Sequence, residues 1–346
     1  MEWHFELQKL ELKRAFTISR QSSNFRETLR LGLRHLDRTG WGEAAPNPRH
    51  GESPGSVIEA FTRLKDHPFT SSPNQPEAFI REAAPVIGPV QSAMAAVDMA
   101  VHDWWGKGLE RPLYEIWGIP YREPFETSMT ISIDTPEKTA ERTRESLEFR
   151  VLKVKMGSDL DRENILAIRS VTEIPLWVDA NEGWKDPARA MEMISWLEGQ
   201  GVEMIEQPLP ATQWEDQRRI KDKSPLPLIA DESFSSMTDL DRISEGFHGI
   251  NIKLAKCGGL APARRIISAA RDRGLLVMIG SMIQSSCGIG AACQIAPLAD
   301  YVDLDCNLLI KNDPFTGHPA KNGLIHLNQL PGTGVRLKPS LENQES

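Results

Sequence analysis

Apolar and polar residues alternate with period two over residues 3–13 and 27–36, as in half-buried strands. Asp37-Arg38-Thr39-Gly40 then forms a predicted turn into a short third strand at Trp41-Gly42-Glu43, so a small antiparallel sheet is expected. Residues 56–66, 76–86 and 89–107 have helical spacing, and in the last Ala95, Val97, Met99, Ala100, Val101 and Trp104 spread over a wide apolar face. From Phe125 onward short apolar runs alternate strictly with amphipathic helices. The runs at 127–132, 151–156, 176–180, 203–206, 228–231, 250–254, 276–280 and 301–305 predict eight strands. Pro136 suits the first turn of one intervening helix, and Gly274 suits the C-terminal end of another. Eight strands alternating with helices fit a closed parallel barrel better than an open sheet. The expected class is therefore α/β, with an α+β domain over 1–120, a barrel over 121–322, and a segment at 323–346 that returns to the first domain.

Composition changes this picture only by exclusion. A chain of 346 residues with 40% hydrophobic and 25% charged residues has the make-up of a soluble globular protein with a large core. A net charge of −8, with no basic run to offset it locally, excludes a general affinity for nucleic acid or anionic lipid. The charged N-terminus lacks the apolar core of a signal peptide, and no apolar run approaches the ~20 residues that span a bilayer. Cys257, Cys287, Cys293 and Cys306 lack metal-type spacing and read as buried thiols in a reducing cytosol. The expectation is a cytoplasmic protein with a small-molecule substrate and no membrane or nucleic-acid partner; a homo-oligomer is compatible with the sequence.

The candidate chemistry sits at the strand ends. Lys153 and Lys155, Asp179, Glu206, Asp231 and Lys253 close successive predicted strands, with steps of 24, 27, 25 and 22 residues from Lys155 onward. Each step is one strand–helix unit, so each unit delivers a side chain to a shared rim. Residues two apart in a strand share a face, which puts Lys153 and Lys155 together in the barrel mouth. Mutual repulsion is expected to lower the pKa of such a pair toward the range of a general base. Three carboxylates converging from neighbouring strands repel one another unless a cation lies among them, and all-oxygen ligation suits Mg²⁺ first. Numbered as above, the lysine pair lies on strand two and Lys253 on strand six, diametrically opposed. A substrate held between them has a base on each face; Lys256, past the strand end, is the weaker candidate. On strand eight Asp303 and Asp305 are expected to point together into the mouth, either to bind a cationic substrate group or to orient the opposing lysine.

Lys153-Val-Lys155, Asp179-Ala-Asn181, Glu206-Gln-Pro208, Asp231-Glu-Ser233 and Ile252-Lys253 leading to Gly258-Gly259 resemble the enolase superfamily, specifically its muconate-lactonising-enzyme-like subgroup. In the first domain Gly40-Trp-Gly-Glu43-Ala-Ala-Pro46 and Ala96-Val-Asp-Met-Ala100 resemble it too, so nearly the whole chain is covered. The resemblance implies a capping domain over a modified (β/α)₇β TIM barrel and one Mg²⁺ per subunit on Asp179, Glu206 and Asp231. It also implies proton abstraction α to a carboxylate through an ene-diolate, with Lys155 and Lys253 as acid and base and Lys153 as added positive charge. Asp303-x-Asp305 is similar to the motif by which dipeptide epimerases hold a substrate ammonium. Thr17-Ile-Ser-Arg20 is similar to the loop of those acting on alanyl-glutamate, where an arginine pairs with the glutamate side chain. Arg20 is thus the expected side-chain contact, with Arg26 and Arg49 as alternatives, and Asn181 is expected to support the metal ligands. Glu232 is expected to point away from them. N-acylamino acid racemase or o-succinylbenzoate synthase on the same scaffold, and a non-catalytic binding protein on a retired barrel, are the rival readings.

Overall fold

The computed structural model describes residues 1–121 and 123–342. The N-terminal part is a three-stranded antiparallel sheet, Glu2–Ile18, Gln21–His35 and Arg38–Ala44, backed by the helices Pro54–Asp66, Pro76–Ile87 and Gln91–Gly108. Trp3, Leu29, Leu31, Leu33, Phe61, Phe79, Val97 and Trp104 fill the space between them. The Gln91–Gly108 helix lies so close to the third strand that a Cβ on Gly42 would come within 2.0 Å of the Ala96 carbonyl oxygen. Only glycine permits this contact.

The first two strands are longer than their alternation predicts. They pair through Ile18↔Gln21, with a register shift between Glu11 and Phe16. The added length is a hairpin that leaves the sheet and reaches the barrel, where Ile133 N–H donates to the Thr17 carbonyl. Having no apolar layer to cover on one side, it lacks the period-two signature.

Eight parallel strands form the barrel sheet in sequence order: Met129–Ile131, Leu152–Lys155, Leu176–Asp179, Val202–Glu206, Leu228–Ala230, Gly249–Lys253, Leu276–Gly280 and Tyr301–Asp303. The ring closes where Ser128 N–H donates to the Val302 carbonyl at 3.1 Å and Leu304 N–H to Thr127 Oγ1 at 3.0 Å. A helix follows each of the first seven strands, whereas the eighth runs into the one-turn helix Cys306–Leu309. This is the (β/α)₇β arrangement. Within the ring Val151, Trp177, Met204, Ile229 and Met278 form an apolar plug with Tyr301 against it. Two residues further along the same strands, on the same inward face, come Lys153, Asp179, Glu206, Asp231, Gly280 and Asp303. The plug is the floor of the site and the charged tier lies on it.

The C-terminal segment runs back along the first domain. Thr333 N–H and Oγ1–H both donate to Asp103 Oδ1 at 2.9 Å, and Trp41 packs with Phe315, Val335 and Leu337. No helix among the described residues is long and apolar enough to cross a membrane.

Candidate active site

Side chains of the charged tier bind one another in pairs of opposite sign. Lys153 Nζ lies 2.6 Å from both Asp303 Oδ2 and Glu206 Oε2 and 3.6 Å from Asp179 Oδ2. Lys155 Nζ reaches Asp179 Oδ2 at 2.6 Å, and Lys253 Nζ reaches Asp231 Oδ2 at 2.7 Å. Lys155 and Lys253, on strands two and six, line one cavity of about 660 Å³ together with Asp231, Asp303 and Asn181. Lys153 is fully buried beneath it.

These pairs overturn the expectation that repulsion lowers lysine pKa. Burial does push the Lys153 ammonium down, but Asp303, Glu206 and Asp179 outweigh it and hold the pKa well above the ordinary value. Lys253 is raised too, because Asp231 and Glu206 outweigh both burial and the field of Lys153. Counting like charges along one strand misses the carboxylates contributed by its neighbours.

Asp179, Glu206 and Asp231 come from adjacent strands, with Asp179 and Glu206 in direct register. Among the described residues no three metal-binding side chains surround a common point as they stand, because each carboxylate turns toward an ammonium. The donor set nevertheless fits a hard divalent cation. All three groups are buried oxygen donors, and Glu206 Oε2 has no hydrogen-bond partner because its contact with Lys153 lacks hydrogen-bond direction. Burial, then the charges of Asp179 and Asp231, push the Glu206 carboxyl up to about 7, so negative charge here lacks a full counterweight. Buried oxygens without donors gather in this region: Asn181 Oδ1, Glu232 Oε2, Asn251 Oδ1 and Asp305 Oδ1 join Glu206 Oε2. Such clustering marks a site built around a guest.

Several side chains stand differently from expectation. Asp303 lines the cavity, with Oδ1 accepting from Ser128 Oγ at 2.6 Å, but Asp305 does not. The strand ends at Asp303, and helical backbone at Asp305 (φ −91°, ψ −7°) breaks the alternation. Its Oδ2 accepts from Thr130 N–H at 2.6 Å beneath the cavity, and burial and Asp303 raise its pKa to about 6. Asn181 and Glu182 take left-handed backbone (φ 44° and 63°), so strand parity does not place them either. Arg20 offers no free guanidinium. It donates to the Asn181 carbonyl at 2.9 Å, to Glu182 at 2.8 Å and to Glu232 at 2.7 Å. Glu232 therefore lines the cavity as the partner of Arg20 rather than pointing away from it.

Two supporting residues carry no role in the sequence reading. Asn251 Nδ2 donates to Glu206 Oε1 at 2.8 Å, and a polar residue on the inward face of the buried Ile250-Asn251-Ile252 run is the signal that marks it. Lys256, which the sequence ranks below Lys253, donates to Asp231 Oδ1 at 2.6 Å, to its carbonyl at 2.8 Å and to the Phe234 carbonyl at 3.1 Å. It holds Asp231 from behind.

Comparison with known proteins agrees with this geometry. The Enolase C-terminal domain-like family matches residues 136–341. The L-Ala-D/L-Glu epimerase of Bacteroides thetaiotaomicron is 42% identical over 336 residues, covering 97% of this chain and 88% of that protein. The structure of N-succinyl Arg/Lys racemase from Bacillus cereus superposes with a TM-score of 0.92 at 28% identity, covering 99% of this chain and 96% of the other. The dipeptide epimerase of Cytophaga hutchinsonii, complexed with Mg and D-Ala-L-Val, superposes with a TM-score of 0.92 at 25% identity, covering 99% and 97%.

Proposed function

This chain belongs to the enolase superfamily through its Enolase C-terminal domain-like barrel, and from that premise we propose that it is a dipeptide epimerase. It inverts the α-carbon of the C-terminal residue by two-base proton transfer, with L-Ala-D/L-Glu or a related dipeptide as substrate. One observation carries the reading: Lys155 and Lys253 reach a single cavity from opposite strands, with Asp303 on its wall.

Removing the α-proton of a carboxylate leaves a second negative charge, and enzymes typically supply about 8–23 kcal/mol of transition-state stabilisation in all. Mg²⁺ held by Asp179, Glu206 and Asp231, when bound, supplies positive charge against the substrate carboxylate. The chain's own residues do the rest. Lys155 and Lys253 exchange roles as base and acid according to which stereoisomer is bound. Lys153, buried and held protonated by its carboxylate neighbours, contributes fixed positive charge and is not a base. Asp303 receives the substrate ammonium, with Asp305 beneath as further negative charge. Asn251 and Lys256 fix the rotamers of Glu206 and Asp231. The four cysteines are free and buried, which fits a reducing cytoplasm.

The test is a library of dipeptides incubated with the protein and Mg²⁺ in D₂O and read by mass spectrometry. Deuterium at the α-carbon of the C-terminal residue is expected, and its absence from every dipeptide defeats the proposal. The likeness to an N-succinyl amino acid racemase makes N-succinyl amino acids the comparison set. Exchange confined to them assigns the site to the racemase reading instead.

A further inference from the structure

Three arginines line the cavity, Arg20, Arg26 and Arg49, all from the capping domain. Arg20 and Arg49 are committed to the barrel. Both pair with Glu182, at 2.8 and 2.6 Å, and Arg20 also pairs with Glu232 at 2.7 Å. Ser19 Oγ adds a bond to the Asn181 carbonyl at 2.9 Å, so the hairpin tip is fastened across the ends of barrel strands three and five. Arg26 differs. It stands opposite Leu10 on the second strand of the same hairpin, half-buried against the cavity, and among the described residues it makes no ion pair. Its hydrogen bond goes to the adjacent Phe25 carbonyl at 3.0 Å. Glu27 also lines the cavity but lies opposite Lys9 and does not pair with Arg26.

A guanidinium carries five N–H donors, and one carbonyl leaves most of them unsatisfied. Burying a charge without a partner is costly. Burial lowers the pKa of Arg26, and the Cys306 thiol is the titratable group that opposes the shift; no carboxylate does. For Arg20, Glu232, Glu182 and Asp179 overcome burial and raise it. Two arginines on one hairpin thus have opposite electrostatic situations, one neutralised by the protein and one awaiting an anion.

We propose that Arg26 is the specificity-determining contact of this site, receiving the side-chain carboxylate of an acidic dipeptide, while Arg20 is a positioning residue that latches the hairpin to the barrel. The division rests on the dipeptide-epimerase reading and departs from the sequence expectation, which gave the side-chain contact to Arg20. A planar guanidinium meets a carboxylate through two parallel hydrogen bonds, which a neutral side chain cannot supply.

The experiment measures kcat/KM with Mg²⁺ for L-Ala-L-Glu, L-Glu-L-Ala and neutral L-Ala-L-Met in the full-length protein and three variants. Arg26→Gln is expected to lower the preference for the acidic over the neutral dipeptide about 10- to 100-fold, mostly through KM. Whichever acidic dipeptide shows the drop identifies the substrate residue that carries the carboxylate. Arg20→Gln is expected to lower all three together, leaving their ratios intact. Arg26→Glu is expected to reverse the preference toward L-Ala-L-Lys, a gain that misfolding cannot imitate. Unchanged ratios in Arg26→Gln, or a selective loss of acidic dipeptides in Arg20→Gln, overturn the assignment while leaving dipeptide epimerisation in place. A wild-type protein that turns over none of the dipeptides overturns both.

Discussion

Lys153 and Lys155 are identical side chains two residues apart, yet only Lys155 reaches the cavity, while Lys153 is locked among three carboxylates below it. Burial depth separates a base from a fixed charge, and it follows from how far each residue stands above the plug. For the two bases the expected outcome is specific. Lys253→Met abolishes epimerisation but leaves one stereoisomer of the dipeptide still exchanging its α-proton for deuterium, and Lys155→Met leaves the other. Each substitution should lower turnover by about 10²- to 10⁴-fold, the usual contribution of a positioned acid or base, and NMR in D₂O reads both effects. Asn251→Leu strips the donor from Glu206 Oε1 and should weaken Mg²⁺ binding by about 10- to 100-fold, measured by titration calorimetry. At this scale the sequence shows which residues end the strands, because an acid or lysine closing a buried apolar run stands out. It does not show whom they pair with. The partner of Glu206 lies 45 residues away on a strand two removed, and that of Arg20 lies 212 residues away.

Elements of the barrel were legible because each inner strand is a short apolar run and each connection an amphipathic helix, so the two periods do not blur. Strand ends were less so. Alternation was extrapolated through Asp305, Asn181 and Glu232, where the backbone has already turned, and side chains beyond that point follow loop conformation instead. The hairpin extension was missed for the opposite reason, since it is strand without a buried face. A pH dependence belongs to the C-terminal elements. His318 Nδ1 accepts from Asn328 N–H at 3.1 Å, which leaves the proton on Nε2 to donate to the Thr333 carbonyl at 3.0 Å. Burial therefore keeps the ring neutral and lowers its pKa to about 4, although the bonds to Thr333 and Gly290 oppose the shift. The unfolded chain takes up the proton first, so stability is complete above about pH 6.5 and falls as the pH drops toward 4. The loss should reach about 3 kcal/mol by pH 4, at about 1.4 kcal/mol per pH unit. His318→Gln should flatten that part of the profile in denaturant titrations run from pH 7 to 4.

Across the whole molecule, the cavity exists only while the capping domain sits on the barrel, because the hairpin arginines form its outer wall. Three fully buried carboxylates of the capping domain hold that arrangement. Glu43 accepts from Ser285 and Gly288 N–H at the start of the helix Ser286–Cys293, and Asp98 accepts from Leu260 N–H at 2.6 Å and Ala261 N–H at 3.2 Å at the start of Leu260–Arg271. Asp103 binds Trp41 N–H, Thr333 and Lys107 together, joining the sheet, its own helix and the C-terminal segment. A carboxylate at a helix N-terminus gains from both the free N–H groups and the dipole, so Glu43 and Asp98 bind helices rather than single atoms. Asp103 ties three segments at once, and its removal leaves Lys107 without its partner and buried N–H groups without acceptors. Asp103→Ala should therefore cost about 3–5 kcal/mol, the usual effect of breaking a buried pair from one side. Arg14–Glu145 is just as short, at 2.6 Å, but about half exposed on both sides, and Arg14→Ala should cost less than about 1 kcal/mol. Urea titrations of both variants check the difference. If domain docking is cooperative, Asp103→Ala shifts the midpoint of one shared transition. Two separated transitions would mean that the capping domain folds independently of the barrel it covers.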